Sequence, residues 1–384
     1  LAPFNGGAVG FAGYESIEQI ETSVTAHPND ELKVDDAVFL ITDTLIAFDR
    51  VNHKMQVISH VNLRDGQDVE TAYAEATDKI DQILAKLNNT SIKQPLRSLP
   101  KIDDVTPASN TTKDEFYGMV KTAKDYIHEG DIIQVVLSQR FETDCTVEPL
   151  EVHRSLRSIN PSPYMFCLQL GDDFALCGAS PEIHARCENG EVTVRPIAGT
   201  RKRGTTVEKD NALAEELLAD PKERAEHIML VDLGRNDIGR IAETGSVKIE
   251  DLMVIERYSH VMHIVSNVKG QLKSDLTSDG SMSSTFPAGT VSGAPKVRAM
   301  QIISELEKCK RGPYAGTVAY FSFNGNIDSA ITIRTVVLKD DKAYVQAGAG
   351  IVADSDPDLE YQETQNKARA ILIALETAKQ MQQD

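Results

Sequence analysis

The run Tyr164-Met165-Phe166-Cys167-Leu168-Gln169-Leu170-Gly171-Asp172-Asp173-Phe174-Ala175-Leu176-Cys177-Gly178-Ala179-Ser180-Pro181-Glu182-Ile183-His184-Ala185-Arg186-Cys187-Glu188-Asn189-Gly190-Glu191-Val192-Thr193-Val194-Arg195-Pro196-Ile197-Ala198 decides the fold class. It reads as four strands, 164–170, 174–179, 183–188 and 191–198, with no helix between them. Further strands are predicted at 131–141, 260–269, 317–323, 329–339 and 342–347. Helices are predicted at 113–129, 147–158, 207–219, 222–241, 295–308 and 357–381. Strands in consecutive runs, rather than strict βαβ alternation, imply an α+β fold with large, mostly antiparallel β-sheets flanked by helices.

Upstream, 38–48 reads as one strand, 55–61 as its hairpin partner and 68–87 as a helix. The opening Phe4 to Phe11 is Gly-rich with no strand before it. Residues 88–112 turn polar, with Pro95, Pro100 and Pro107. The expected division is an N-terminal part over 1–95, a linker or surface loop over 96–112 and the main domain over 113–384.

The 384 residues carry 40 Lys+Arg against 58 Asp+Glu, a net charge of −18. This excludes a basic nucleic-acid footprint and disfavours an anionic membrane surface. No apolar run approaches the ~20 residues of a membrane span. Five cysteines, with no Cys-x-x-Cys, suggest neither a disulfide framework nor a thiolate metal site, as in a reducing, cytoplasmic compartment.

Two glycine-rich segments imitate nucleotide motifs. Gly348-Ala349-Gly350-Ile351-Val352-Ala353 fits G-x-G-x-x-A, but Asp354-Ser355-Asp356-Pro357 delays the next helix. Gly289-Thr290-Val291-Ser292-Gly293-Ala294-Pro295-Lys296 approximates a phosphate loop, but Pro295 removes a needed N–H. Both remain suited to close approach by some other anion.

The most chemical feature is a pair of similar helix starts: Asp220-Pro221 leading to Glu223 and Glu226, and Asp356-Pro357 leading to Glu360 and Glu363. Asp is a natural N-cap and Pro a natural first helical residue. Glutamates three apart share a helix face. Such acids also complement a helix dipole, and Asp220 with Glu223 resembles a capping box. If the four faced one another they would need a cation, and an all-oxygen set suits Mg²⁺. His260 and His263, three apart in a strand-like stretch, point to opposite faces and make a poor metal pair.

The blocks Gly130–Phe141, Gly178–Glu182, Arg195–Arg201, Glu226–Asp237, Tyr258–His263, Gly289–Lys296 and Gln346–Gly350, in this order, resemble the chorismate-utilising enzymes, most of all the large subunits of anthranilate synthases. The resemblance spans 113–384 almost continuously. It implies addition of ammonia to chorismate and elimination of pyruvate. It also implies Glu226 and Glu363 as direct Mg²⁺ ligands, with Glu223 and Glu360 acting nearby through water. Gly199 and Thr200 would meet the ring end of the substrate, and Thr290 would line the pocket. Tyr314, Arg334, placed in the strand 331–335, and the Gly348-Ala349-Gly350 backbone would hold the enolpyruvyl carboxylate. Glu182 would be the general acid, and His263 would serve the elimination. For Ser180, a turn before Pro181, no nucleophilic role is expected.

Two positions select among the family. Gln134 stands where water-adding members have a lysine base, which favours ammonia. Ala198 stands where aminodeoxychorismate synthases carry a lysine nucleophile. Aminodeoxychorismate synthesis is the enzymatic alternative, and a silent tryptophan-binding regulatory subunit the alternative of another class. Without a Gly-x-Cys-x-Gly motif, ammonia is expected from a separate glutaminase subunit, hence a hetero-oligomer. Pro163, Tyr164 and Met165 resemble a tryptophan feedback segment. The family's opening tryptophan-contact motif has no counterpart and the first residue is Leu1, which suggests an N-terminally truncated piece.

Overall fold

A computed structural model describes residues 2–63, 66–89, 102, 105, 107–258 and 261–383. A nine-stranded sheet runs in the order Ile197–Lys202, Val261–Gln271, Glu191–Val194, Ile183–Glu188, Ile327–Ile331, Thr317–Ser322, Gly7–Ala12 and Ala37–Thr42, with Lys248–Arg257 also on Val261–Gln271. A seven-stranded sheet runs Gly293–Ala294, Gln134–Asp144, Lys342–Ile351, Thr335–Lys339, Phe174–Ser180 and Tyr164–Gln169, with Ala108–Ser109 on Gln134–Asp144. Thr44–Asp49 and Lys54–Ser59 form a separate hairpin. The pairings within all three sheets are antiparallel, and the α+β expectation holds.

The chain passes between the two large sheets at two adjacent places. Phe174–Ser180 belongs to one sheet and Ile183–Glu188 to the other, so residues 181–182 are a crossover. Ile327–Ile331 and Thr335–Lys339 are divided likewise, making 332–334 a second. The crossovers are tied together: Ile331 N–H donates to Glu182 O at 3.0 Å, Ala179 N–H to Arg334 O at 3.1 Å, and the Ser180 hydroxyl to Ile331 O at 2.7 Å. Ser180 is thus a satisfied core hydroxyl.

Helices Pro149–Ile159 and Pro357–Gln383 cover one face of the seven-stranded sheet, burying Val152, Leu156, Ile371 and Leu375 against Val336 and Val345. Helices Lys113–Glu129 and Lys296–Leu306 bury Phe116, Val120, Ile302 and Ile303 around Leu137 and Ala349. Helix Pro221–Gly239 lies on the nine-stranded sheet through Val231 and Ile238. Each helix presents apolar residues at helical spacing to a strand face, as the sequence pattern predicts.

Several expected elements divide differently. The strand over 38–48 breaks at Asp43, whose carbonyl accepts from His60 N–H and whose carboxylate pairs with Lys79 at 2.9 Å. The strand over 191–198 breaks at Arg195-Pro196, where proline has no N–H for a ladder. The strand over 329–339 breaks at 332–334, so Arg334 is not in a strand but at φ +50 in the crossover. The Gly-rich opening contains the strand Gly7–Ala12. A Cβ on Gly7 would meet Phe321 O at 1.9 Å, and one on Gly10 would meet Val38 O at 1.9 Å, so glycine allows the neighbouring strands to close. Lys248–Arg257 is an unexpected strand, disguised by its charged residues and by a register shift with Asp251 and Met253 at positive φ. Most of the segment 96–112, and His260, lie outside the described residues.

Candidate active site

Glu182 and Arg334 owe their placement to the two crossovers. Glu182 lies deep at the seam with one side open to a small cavity shared with Thr290 and Asp237. Burial pushes its carboxyl up to about 7, against weaker pulls downward from Thr290, Lys367 and Arg334. The buried Thr290 hydroxyl favours the charged form by proximity, yet makes no well-formed hydrogen bond. A carboxyl held near neutrality is suited to proton donation.

Arg334 is held below its ordinary value by burial, opposed by the Glu182 charge. Among the described residues its guanidinium has no hydrogen-bond or ion-pair partner. A buried, unpaired guanidinium fork calls for a carboxylate or phosphate.

His263 sits in Val261–Gln271 opposite Thr200. Its Nδ1 lies 2.9 Å from Gly199 O and 3.1 Å from Thr200 Oγ1. A carbonyl only accepts, so Nδ1 carries the proton and Nε2 keeps its lone pair. Burial lowers the ring's pKa, and the nearby Arg334 charge lowers it further, favouring neutral imidazole. Gly199 supplies the carbonyl from a bulge at φ +65, between Ala198 and Thr200.

The Gly348–Gly350 segment lies in Lys342–Ile351, which pairs along its length with Gln134–Asp144. Thr335–Lys339 pairs with only the 342–345 portion, because the kink at Arg334 ends that ladder. The opposite residues Val136 and Ser138 turn their N–H groups elsewhere, to Ser292 O at 2.9 Å and to Glu307 at 2.8 Å. Gly350 and Gly348 therefore direct their N–H groups to the unpaired edge, where they can meet an anion, while Gly348 O accepts from Lys367 at 3.0 Å. A Cβ on Gly348 would stand 2.8 Å from Tyr314 Oη, and one on Gly350 2.7 Å from Gln134 Nε2. These contacts bring Tyr314 and Gln134 to the same strand.

The two acidic helix starts converge as well. Asp220 Oδ1 caps Lys222 N and Glu223 N at 2.9 and 3.3 Å, and Asp356 Oδ1 caps Asp358 N and Leu359 N at 2.9 and 3.1 Å. The capping box read from the sequence does not close, because Glu223 turns to Arg201 at 3.0 Å. Burial raises Glu226, and the charges of Glu223 and Glu363 raise it further. Glu360 is raised by burial and by Glu363. The glutamates of one helix thus feel those of the other. Lys367, one turn beyond Glu363, bridges its carboxylate at 2.7 Å and Gly348 O at 3.0 Å. No group of three or more His, Cys, Asp or Glu among the described residues is gathered as a ready metal cage. The donors fit a divalent cation all the same: among the described residues Glu226 has no hydrogen-bond or ion-pair partner, and it is crowded by like charges.

Sequence reading passed over Lys367, although Glu363 and Lys367 at i, i+4 were a legible pair. The phosphate-loop imitation resolves as structure: buried Lys296 pairs with Asp237 at 2.7 Å. Pro163, Tyr164 and Met165 line a separate cavity of about 480 Å³, whose walls include Pro181 and Ile183 on either side of Glu182.

Two sheets meeting at a seam, with a buried acid, an unpaired guanidinium and facing carboxylates, define a site for an anionic substrate. The chain belongs to the family described as chorismate binding enzyme, whose sequence profile matches residues 2–373. It is similar to anthranilate synthase component 1 of Acetivibrio thermocellus, 51% identical over 382 residues, covering 98% of this chain and 76% of that protein. The same protein of Aquifex aeolicus is 49% identical, covering 100% of this chain and 77% of that one. The crystal structure of anthranilate synthase component I from Streptococcus pneumoniae superposes with a TM-score of 0.86 at 44% identity, covering 96% of this chain and 81% of that one. The isochorismate synthase MenF of Escherichia coli shares the fold, with a TM-score of 0.72 at 21% identity and coverage of 96% and 78%.

Proposed function

We infer that this chain is the chorismate-consuming large subunit of an anthranilate synthase, adding ammonia to chorismate and expelling pyruvate to leave anthranilate, the entry step to tryptophan. The observation that carries this reading is the convergence of Glu182, His263, Arg334 and the glutamate pairs at one seam, in a chain about half identical to such subunits along nearly its whole length. Arg334 and the Gly348 and Gly350 N–H groups suit the enolpyruvyl carboxylate, with Tyr314 beside them. Gly199, Thr200 and Thr290 bound the ring. As the ammonia lone pair forms the new C–N bond, the ring double bond shifts and the C4 hydroxyl leaves with the Glu182 proton as water. The added nitrogen gives up its extra proton to water; His263 Nε2 then takes the proton from the amino-bearing carbon as the enolpyruvyl C–O bond breaks, and the departing enolate takes a proton from water to become pyruvate.

Glu226 and Glu363 would hold Mg²⁺, with Glu223 and Glu360 acting through water. When bound, the ion supplies charge neutralisation and a hold on the ring carboxylate. Ammonia comes from a partner glutaminase in a hetero-oligomer, a reading supported by the relatives' designation as component 1. Gln134 beside Gly350, rather than a lysine, supports ammonia as nucleophile, and Ala198 supports a route without a covalent adduct. Tryptophan feedback through Pro163, Tyr164 and Met165 is supported by the large cavity they line. Five free thiols suit the cytoplasm, and no helix among the described residues is long and apolar enough to cross a membrane.

The test is chorismate with ammonium salt, with and without Mg²⁺, followed by anthranilate fluorescence and chromatography. Metal-dependent anthranilate is the expected result, and a para-amino product overturns the reading.

A further inference from the structure

Arg201 lies just past Gly199 and Thr200, on the strand Ile197–Lys202, and every arm of its guanidinium is engaged. Its Nη1 donates to Glu223 Oε1 at 3.0 Å and to Thr200 O at 3.0 Å. Its Nη2 donates to Asp220 Oδ2 at 3.0 Å, and its Nε to Glu216 Oε1 at 3.1 Å. Asp220 is the N-cap of the helix that carries Glu223 and Glu226, so one carboxylate both starts that helix and binds the arginine. The other oxygen of Glu223 stands only 3.1 Å from where a Gly199 Cβ would be. The arginine therefore clamps the first helical turn onto the strand that presents Gly199 and Thr200.

The clamp also distinguishes the two glutamates of its own helix. Glu223 is neutralised by Arg201. Glu226, one turn past the clamp, has no hydrogen-bond or ion-pair partner among the described residues. Contacts from all three nitrogens of a planar fork fix direction as well as distance, which an ammonium would not do. We propose that Arg201 is a positioning residue for the metal. It holds Glu223 out of direct coordination and sets the reach of Glu226 toward the cation and the ring end of the substrate. This rests on the Mg²⁺ reading above, and it concerns a residue that touches neither metal nor substrate.

The test uses the full chain and Mn²⁺ alone, with free ion counted by electron paramagnetic resonance. Loss of a partner that orients a metal ligand typically costs 10–100-fold in affinity. R201M is expected to weaken Mn²⁺ binding at least about 10-fold, and R201K to recover part of the loss. E216Q, which removes the most exposed of the arginine's partners, is expected to leave binding unchanged. If Arg201 works through Glu223, R201M/E223Q is expected to be no weaker than the worse single variant. R201M that binds Mn²⁺ like wild type overturns the inference, as does additivity in the double variant or an E216Q loss equal to that of R201M. Should R201M fail to fold by circular dichroism, the R201K, E223Q and R201K/E223Q set decides by the same non-additivity. A wild-type chain that takes up no Mn²⁺ overturns the metal reading itself, an outcome separate from any difference among variants.

Discussion

Glu182 shows how one position turns an ordinary residue into a chemical one. Its carboxyl stands at about 7 rather than 4.5 because the seam buries it. The folded chain thus binds a proton that the unfolded chain has released between those values, so stability falls as pH rises through them. Glu182→Gln is expected to raise the melting temperature at pH 8 and to change it little at pH 4.5, while anthranilate formation is lost. In wild type, kcat/KM is expected to decline as pH rises through about 7, as the acid loses its proton. Gly348 makes a second point at this scale. A methyl there would stand 2.8 Å from Tyr314 Oη and 2.9 Å from Leu137 O. Gly348→Ala is expected to raise KM for chorismate about 10-fold, the effect of some 1.4 kcal/mol of lost binding, with a smaller change in kcat. Steady-state kinetics decide this.

At the scale of elements, the site depends on strands that stop. The ladder beside Gly348 and Gly350 ends because the chain turns at Arg334, and the turn frees both an edge and a guanidinium. The bulge at Gly199 likewise turns its carbonyl to His263. Gly199→Ala would hold a side chain at φ +65 against Leu217 and Glu223. A loss of about 1–2 kcal/mol in denaturant unfolding is expected from the backbone alone, with weaker metal binding besides. The helix starts act as a pair: Glu226→Gln removes a glutamate that has no hydrogen-bond or ion-pair partner among the described residues. It is expected to raise the Mg²⁺ half-saturation for turnover by at least about 10-fold, measured by metal titration of the fluorescence assay. Both helix starts were legible, since Asp-Pro followed by glutamates three apart has a local meaning. The crossover at 332–334 was not, because Ile331-Thr332-Ile333-Arg334-Thr335 has the composition of an unbroken strand.

At the scale of the molecule, the nine-stranded sheet joins distant parts of the chain. Gly7–Ala12 pairs with Thr317–Ser322, and the buried Glu15 carboxylate accepts from Arg311 N and Gly312 N at 2.8 and 2.9 Å. A fragment beginning at Lys113 would expose that strand edge and leave those donors unmet. It is expected to be insoluble or to unfold at lower denaturant than the full chain, and sedimentation and circular dichroism test this. The acidic excess of the whole chain is no obstacle to a dianionic substrate, because positive groups are concentrated at the seam: Arg334, Lys367 and two backbone N–H donors. The sequence by itself determined the fold class, most helices, the caps and the residue types the chemistry needs, since periodicity and capping are local properties of a chain. Only the tertiary structure decided that Glu182 and Arg334 lie side by side at two crossovers, that Gly348 and Gly350 face an open edge, and that Arg201 rather than a capping box holds Glu223. Those outcomes depend on which sheet each strand joins, and that is settled by packing between residues far apart in the chain.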